Sequence, residues 1–536
     1  MTKRPKPAGR RRAPAAGDVR IYPNDPGATV GLVPATPSAL EPGMPAFVIE
    51  GRRYAPADYA PGTLAFQYWQ GEIALERVIR VWEDLFDRDF AAWQGGRPLK
   101  VKLRAGRDLN AFYDRKGLQF FFDKDKASGR TVYACESLDV VTHEAGHAIL
   151  DIYQPGYWSS VDIETASFHE AFADCSALLT TLTDVAVRRQ FLVESAGAAR
   201  RSNLVSRLAE ALGRAIYDNY GPSAVNDPTR LRDANNSFRY SEPESLPAGA
   251  PDDALAGEPH SFSRVFTGAF YDLLVWLLAR EARDDPSEAG VERARRLAGR
   301  LLGRAIETLP PGEARYLAVA FRMREIDQTE EGGVASIGIE QAFAAHGMKL
   351  PALGRGTRGQ AGAGPRGGGK ASAGQRGTGG PGRRGRVAPS RALRALDPDR
   401  PGGAAAMNAA LGLPGHAHLK RTTLPGRLGS GVREQFIHRD WIRVRHPAFQ
   451  RRDGVLVRVL CGCTLTRGPS GDVEEATIAP HPHPTSAEMA RRVRRWLALG
   501  AIDLGRDGAQ TSRAHFKART PFRVGRGGVL ERVYFE

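Results

Sequence analysis

A chain of 536 residues is too long for one ordinary core and implies two or three domains. At 42% hydrophobic and 25% charged it reads as globular, yet 60 Gly and 36 Pro mark stretches that cannot pack a core. The net charge of +16 is uneven: residues 353–536 hold 33 Lys and Arg against 13 Asp and Glu, residues 1–20 hold seven against one, and residues 21–352 hold 36 against 46, so an acidic body carries two basic extensions.

Four cysteines in this length exclude a disulfide scaffold, and Cys461 and Cys463 stand too close in sequence for a relaxed bridge. No apolar run of about 18 residues stands out as a membrane span. Met1–Gly17 is basic and has no apolar segment of the kind a signal peptide carries, so the expected location is cytoplasmic, with non-classical export as the alternative.

In chain order, residues 1–44 are rich in Pro, Ala and Arg and read as a disordered basic arm. Residues 71–94 place Ile73, Leu75, Val78, Ile79, Val81, Trp82 and Leu85 on an apolar face, the pattern of an amphipathic helix. VKLRA (101–105) and LQFFFD (118–123) alternate as strands do. The period then becomes helical from Leu138 and again over 168–184, 263–281, 290–307, 313–324 and 339–346. Of residues 354–403, 21 are Gly or Pro, so 353–424 reads as a flexible linker. Periodicity returns in 425–536, where WIRVRH and GVLVRVLCGCTL predict strands and SAEMARRVRRWLAL a helix: a small basic α+β module.

One pattern carries chemistry. In His143-Glu144-Ala145-Gly146-His147 on a helix, positions i and i+4 share a face, so both imidazoles can reach a single zinc ion, and Glu144 can take a proton from a water beside it. A catalytic zinc needs a third protein ligand and one open position. Glu170, 23 residues after His147 on a second predicted helix, can supply that ligand. Asp174, one turn later on the same face, can accept the free N–H of a ligating histidine. His169 is an alternative ligand, about 100° away from Glu170 around that helix. His416-Ala417-His418 and His481-Pro482-His483 lack zinc-finger spacing and read as loop residues.

Asp139-Val140-Val141-Thr142-His143-Glu144, followed by Glu170-x-x-x-Asp174, resembles the thermolysin-like zinc metallopeptidases. The likeness continues in order over about residues 50–350. Asn110-Ala111-Phe112-Tyr113 is similar to that family's edge strand, Leu231-Arg232 to its arginine segment, Gly257-Glu258-Pro259-His260-Ser261 to its catalytic-histidine motif, and Ile339-Glu340-Gln341-Ala342-Phe343 to the end of its last helix. The resemblance implies an α+β fold of two lobes over residues 45–352, with a mixed β N-terminal lobe, a central active-site helix and a mainly helical C-terminal lobe.

It also implies an endopeptidase that acts through a zinc-activated water. Glu144 is then the general base, while His260 and a tyrosine of the inter-helix loop (Tyr157, with Tyr153 as the lesser alternative) stabilise the oxyanion. Asn110 and Ala111 hold the substrate extended, Arg232 binds the carbonyl beyond the cleaved bond, and Val140 and Leu231 line an apolar pocket for the residue after it. This sequence departs from the family in three places. Leu255 falls where an acid should orient His260, so either Asp252 or Asp253 substitutes or His260 is held less tightly. Asp139 matches a first calcium ligand, but Thr181 stands where the next acid falls, so the Ca2+ expectation rests on one ligand. The loop between the zinc helices is a few residues long for the family. The expected partner is a protein or peptide substrate. Two rival readings are a binding protein that keeps the fold without catalysis, opposed by the intact Glu144 and His260, and a nucleic-acid contact through the basic tail.

Overall fold

The computed structural model describes residues 18–38, 46–86, 92–94, 98–195, 201–221, 227–247, 249–284, 287–312, 314–352, 391–424, 432–449, 454–478, 485–498, 502–504 and 522–532. Helices and strands are mixed along the chain, so the class is α+β.

The first part begins with β1 (Val19–Ile21), β2 (Val33–Ala35), β3 (Phe47–Ile49) and the long helix α1 (Leu64–Phe86). Next come β4 (Leu99–Lys102), β5 (Ala111–Tyr113), β6 (Gly117–Phe120), β7 (Phe122–Lys124) and β8 (Thr131–Tyr133). Four of these form a sheet in the order β3-β4-β6-β5: β3, β4 and β6 run parallel, and β5 returns antiparallel as an edge strand. Helices then dominate: α2 (Leu138–Tyr153), α3 (Pro155–Trp158), α4 (Ile163–Thr181), α5 (Val185–Glu194) and α6 (Glu210–Tyr220), the last flanked by the short pair β9 (Arg207–Leu208) and β10 (Arg232–Asp233). They are followed by α7 (Pro259–Asp284), α8 (Glu288–Thr308), α9 (Tyr316–Glu330) and α10 (Ser336–Ala345). One apolar core runs through all of this, from Val19 to Met348.

Helix α4 is central, packed by α2 on one side and α7 on the other. Helix α7 is long and apolar enough to cross a membrane, but its apolar window is 89% buried inside the fold, which is how a core helix of this length reads. Local signals fix where the two key helices start. Ser137 caps α2 by accepting the Val140 amide, and Asp162 caps α4 by accepting the Thr165 amide at 2.8 Å.

Residues 18–38 of the basic arm are structured, contrary to the disorder expected of residues 1–44; residues 1–17 and 39–44 lie outside the described residues. Val19 and Ile21 are buried in the main core, Tyr22 exchanges two hydrogen bonds with Gln70, and the Asn24 carbonyl accepts the Leu138 amide at the start of α2. The region read as linker also needs correction. Its residues 391–424 contain α11 (Arg391–Ala395), α12 (Gly403–Ala410) and β11 (Lys420–Leu424). Met407 of α12 and Leu411 just after it pack with Phe436, Cys463 and Leu465, so this segment belongs to the C-terminal module. That module continues with β12 (Val432–Val444), β13 (Val455–Arg467), β14 (Val473–Ile478), α13 (Ser486–Ala498), β15 (Ile502–Asp503), β16 (Phe522–Val524) and β17 (Leu530–Arg532). The strands β11-β12-β13-β14 form an antiparallel sheet built on two 13-residue strands. All four cysteines are free and buried.

The close approach of α2 and α4 requires Gly146. A Cβ there would lie 2.7 Å from Ser176 Oγ and 2.9 Å from Ala173 Cα, and the latter is backbone that cannot swing aside. Ser176 is itself fixed, accepting from Trp82 Nε1 at 3.1 Å and donating to the Phe172 carbonyl at 2.8 Å. Gly146→Ala should therefore push the helices apart and cost about 1–3 kcal/mol, the usual range for overpacking, even though alanine is the better helix former. Urea unfolding checks this; an unchanged midpoint would mean that the crossing relaxes freely.

Candidate metal centre

The α2–α4 crossing brings three ligand atoms together in the buried interior. His143 and His147 lie one turn apart on α2, with ring centroids 4.9 Å apart and planes nearly perpendicular. Their Nε2 atoms each lie 3.5 Å from Glu170 Oε2, which α4 supplies. Zinc bonds of about 2.0–2.1 Å in tetrahedral geometry need donors roughly 3.3 Å apart, so the spacing fits one small divalent ion with little adjustment. Among the described residues this is the one group of three or more His, Cys, Asp or Glu residues whose ligand atoms all lie within 4.8 Å of one another.

Each ligand has a partner behind it. His143 Nδ1 is 3.0 Å from Asp174 Oδ1, leaving Nε2 to face the centre. The same Asp174 oxygen accepts from Arg232 Nη2 at 2.7 Å, and its other oxygen accepts from the Thr267 hydroxyl at 3.3 Å. Burial pushes the Asp174 carboxyl up, but Arg232 and His143 outweigh it and hold the group below the usual carboxylate range. Glu170 is held well below that range too, because His260 and His147 overcome the cost of its burial.

His169 is not a ligand. Its ring stacks on His147 with centroids 5.0 Å apart, and the two Nδ1 atoms lie 2.8 Å from each other. For His147 to offer its Nε2 lone pair, its Nδ1 must carry the proton and His169 Nδ1 must accept it, so His169 fixes the tautomer. Sequence reading placed His169 beside Glu170 but not against His147. The α2–α4 packing makes that contact, and no spacing rule reveals it.

His260 opens α7 with its Nε2 3.3 Å from Glu170 Oε2. Glu258, not Asp252, Asp253 or a residue at position 255, is the acid that orients it: Glu258 Oε1 lies 2.7 Å from His260 Nδ1. Leu255 packs on the core, and Asp252 pairs with Arg264 at 3.1 Å. Glu258 also accepts the His260 and Ser261 amides, so it caps α7 just ahead of a proline in the first turn. That Glu-Pro start was the available signal. Glu144 is buried on α2 and near enough to Arg232 to favour the guanidinium's charge.

Tyr157 is not brought to this cluster. It is fully buried in α3, its hydroxyl 3.4 Å from the Pro310 carbonyl and its ring edge-on to Phe168, because the long connector folds back into the body. Tyr153, the alternative, ends α2 and stacks on Phe86. Asn110 and Ala111 lie at the head of edge strand β5, with the Ala111 amide donating to Asn110 Oδ1 at 2.8 Å. Val140 is buried in the first turn of α2, and Leu231 is half-buried beside Arg232, its amide donating to the Leu208 carbonyl.

The calcium expectation finds no support at Asp139. Its oxygens accept from the Thr181 hydroxyl at 2.9 Å and the Ala209 amide at 3.4 Å, and burial with Asp25 nearby pushes its carboxyl well up, towards the protonated form. Compared with known proteins, the sequence matches no family model and no curated protein.

Burial pulls the His143 pKa down, but its hydrogen bonds to Asp174 and Glu170 outweigh it and push the group up to about 9. This pairing stabilises the metal-free fold fully below the ordinary histidine value of 6.5, and the contribution is lost as pH rises through about 9. A metal ion must displace that proton, so apparent zinc affinity should fall as pH drops below 9, by up to about tenfold per unit for one proton. Calorimetry in buffers of different ionisation enthalpy should count the released proton. Affinity independent of pH between 6 and 9 would show that metal binding displaces no proton from His143.

Proposed function

We propose that the chain is a zinc-dependent endopeptidase with a thermolysin-like catalytic domain. The observation that carries this reading is the convergence of His143 Nε2, His147 Nε2 and a Glu170 oxygen, with His260 Nε2 only 3.3 Å from that oxygen and Glu144 on the same helix as the two histidines. A zinc ion held by these three residues would polarise the scissile carbonyl and acidify water.

The other roles belong to side chains of this chain. Glu144 takes the proton from the attacking water and passes it to the leaving amine. His260, its Nδ1 held by Glu258, presents Nε2 to the oxygen on which charge develops. Arg232 meets the substrate carbonyl beyond the cleaved bond while Asp174 fixes its guanidinium. Edge strand β5 offers its free side to an extended peptide, with Asn110 and Ala111 at its head, and Val140 and Leu231 give a preference for an apolar residue after the cleaved bond.

The test uses casein or a blocked peptide, with and without a chelator. Glu144→Gln should keep its metal and lose at least about 100-fold in kcat, the lower end of general-base contributions. His260→Ala should lose about 100-fold with metal retained, and Glu258→Gln less than that, because it loosens the imidazole without removing it. Undiminished cleavage by Glu144→Gln would refute the mechanism.

A further inference from the structure

Residues 154–162 join the helix carrying His143 and His147 to the helix carrying Glu170 and Asp174. The catalytic body alone does not cover this connector. Val161 and Ile163 belong to the same apolar cluster as Val457, Val459, Met489 and Trp496 of the C-terminal module. Leu460 of β13 lies over Gly156, where a Cβ would sit 3.4 Å from its Cδ1.

Both ends of the connector are also held by polar contacts. Where α2 stops, the buried Gln435 amide donates to the Tyr153 carbonyl at 3.3 Å and to Gln154 Oε1 at 3.1 Å. Gln154 in turn donates to the Ile306 and Leu309 carbonyls, and Thr464 donates to that Leu309 carbonyl at 3.0 Å. Where α4 starts, Asp162 Oδ2 caps the helix, and Asp162 Oδ1 faces Arg315 at 3.1 Å and Arg492 of α13 at 3.7 Å. Arg433 adds a buried pair with Glu307 at 2.8 Å. The module thus contributes apolar cover to the connector and a polar contact at each of its two ends.

We infer that the C-terminal module is a positioning element of the metal centre: through Gln435 and Arg492 it sets how far apart α2 and α4 stand, and so the separation of the ligand atoms. This rests on the metal-centre reading and makes no assumption about the reaction. Ligand atoms 3.5 Å apart tolerate little splay, since small rotations of a helix about its connector move side chains two turns away by a bond length or more. The module is therefore integral to the scaffold of the metal centre, not an appendage on a tether.

The experiment loads the full chain and its Gln435→Met/Arg492→Met variant with zinc and follows metal release into excess chelator. Both substitutions keep side-chain bulk and remove only the polar contacts. Release should be at least about threefold faster in the double variant, the scale on which packed residues that touch no ligand modulate a distant site. Arg492→Lys, which keeps the charge, should release more slowly than Arg492→Met. If the double variant fails to fold, the two single variants at 492 carry the comparison, since that side chain is 27% exposed and tolerates exchange. Release within about twofold of the parent in every folded variant would overturn the inference, because the module's contacts would then not reach the donor atoms. A parent chain that holds no zinc would overturn the metal-centre reading, and this inference with it, before any variant is compared.

Discussion

Everything at the candidate site depends on two helices crossing with almost no side chain between them. Donor atoms for one ion must come within about 3.3 Å of each other, yet α-helices with ordinary side chains between them pack with axes about 8–10 Å apart. Gly146, between Glu144 and His147 in sequence, removes the Cβ that would strike Ala173 and Ser176. The glycine in the candidate metal-binding pentapeptide is thus a packing device, and the spacing of the three donor atoms follows from it.

That crossing buries charge, which burial alone would not allow. Glu170 and Asp174 stay ionised inside the fold because each faces cationic or hydrogen-bonding partners: His260, His147 and His143 around Glu170, and Arg232 and His143 around Asp174. The network is directional. Asp174 takes Nδ1 of His143 and His169 takes Nδ1 of His147, so both Nε2 atoms are left facing one point. The end of α2 is tied down in the same manner, with Asp151 accepting from Tyr113 at 3.0 Å and from Arg115, the residues that flank the turn after edge strand β5. The candidate metal ligands and the strand proposed to bind substrate are therefore coupled through one buried carboxylate.

The parts of this arrangement written in local pattern were legible in the sequence. Helix periodicity located α1, α2, α4 and α7 to within several residues, and the i, i+4 histidines with a glutamate one helix later identified the centre. The rest depended on long-range packing. The ordering of Asp18–Asn24 depends on Gln70 and Leu204, neither near it in sequence, and averaging over a Pro- and Ala-rich stretch concealed it. Tyr157 was placed by counting along a connector that packs against the C-terminal module and folds back into the body. Family spacing likewise put the acid behind His260 at Leu255, where helix capping would have pointed to Glu258.

Asp139 shows how a resemblance in motif can part from a resemblance in chemistry. It lies in the first turn of α2, where the helix dipole favours an anion. Around it stand Asp25 and Glu210, both acids, while Arg207 is engaged by Glu210 at 2.7 Å. Burial pushes Asp25 up, and burial with neighbouring acids pushes Asp139 up and Glu210 up to about 7. Such a group can be neutralised by a cation or by protons. A cation needs several oxygens converging on one point. Here Asp139 already serves the Thr181 hydroxyl and the Ala209 amide, and one Asp25 oxygen serves the Gly27 and Ala211 amides, so these oxygens already hold the helix starts and turns around them. Protons need no such convergence. The ordered N-terminal arm delivers Asp25 to this place, and burial there pushes its carboxyl, with those of Asp139 and Glu210, towards the protonated form.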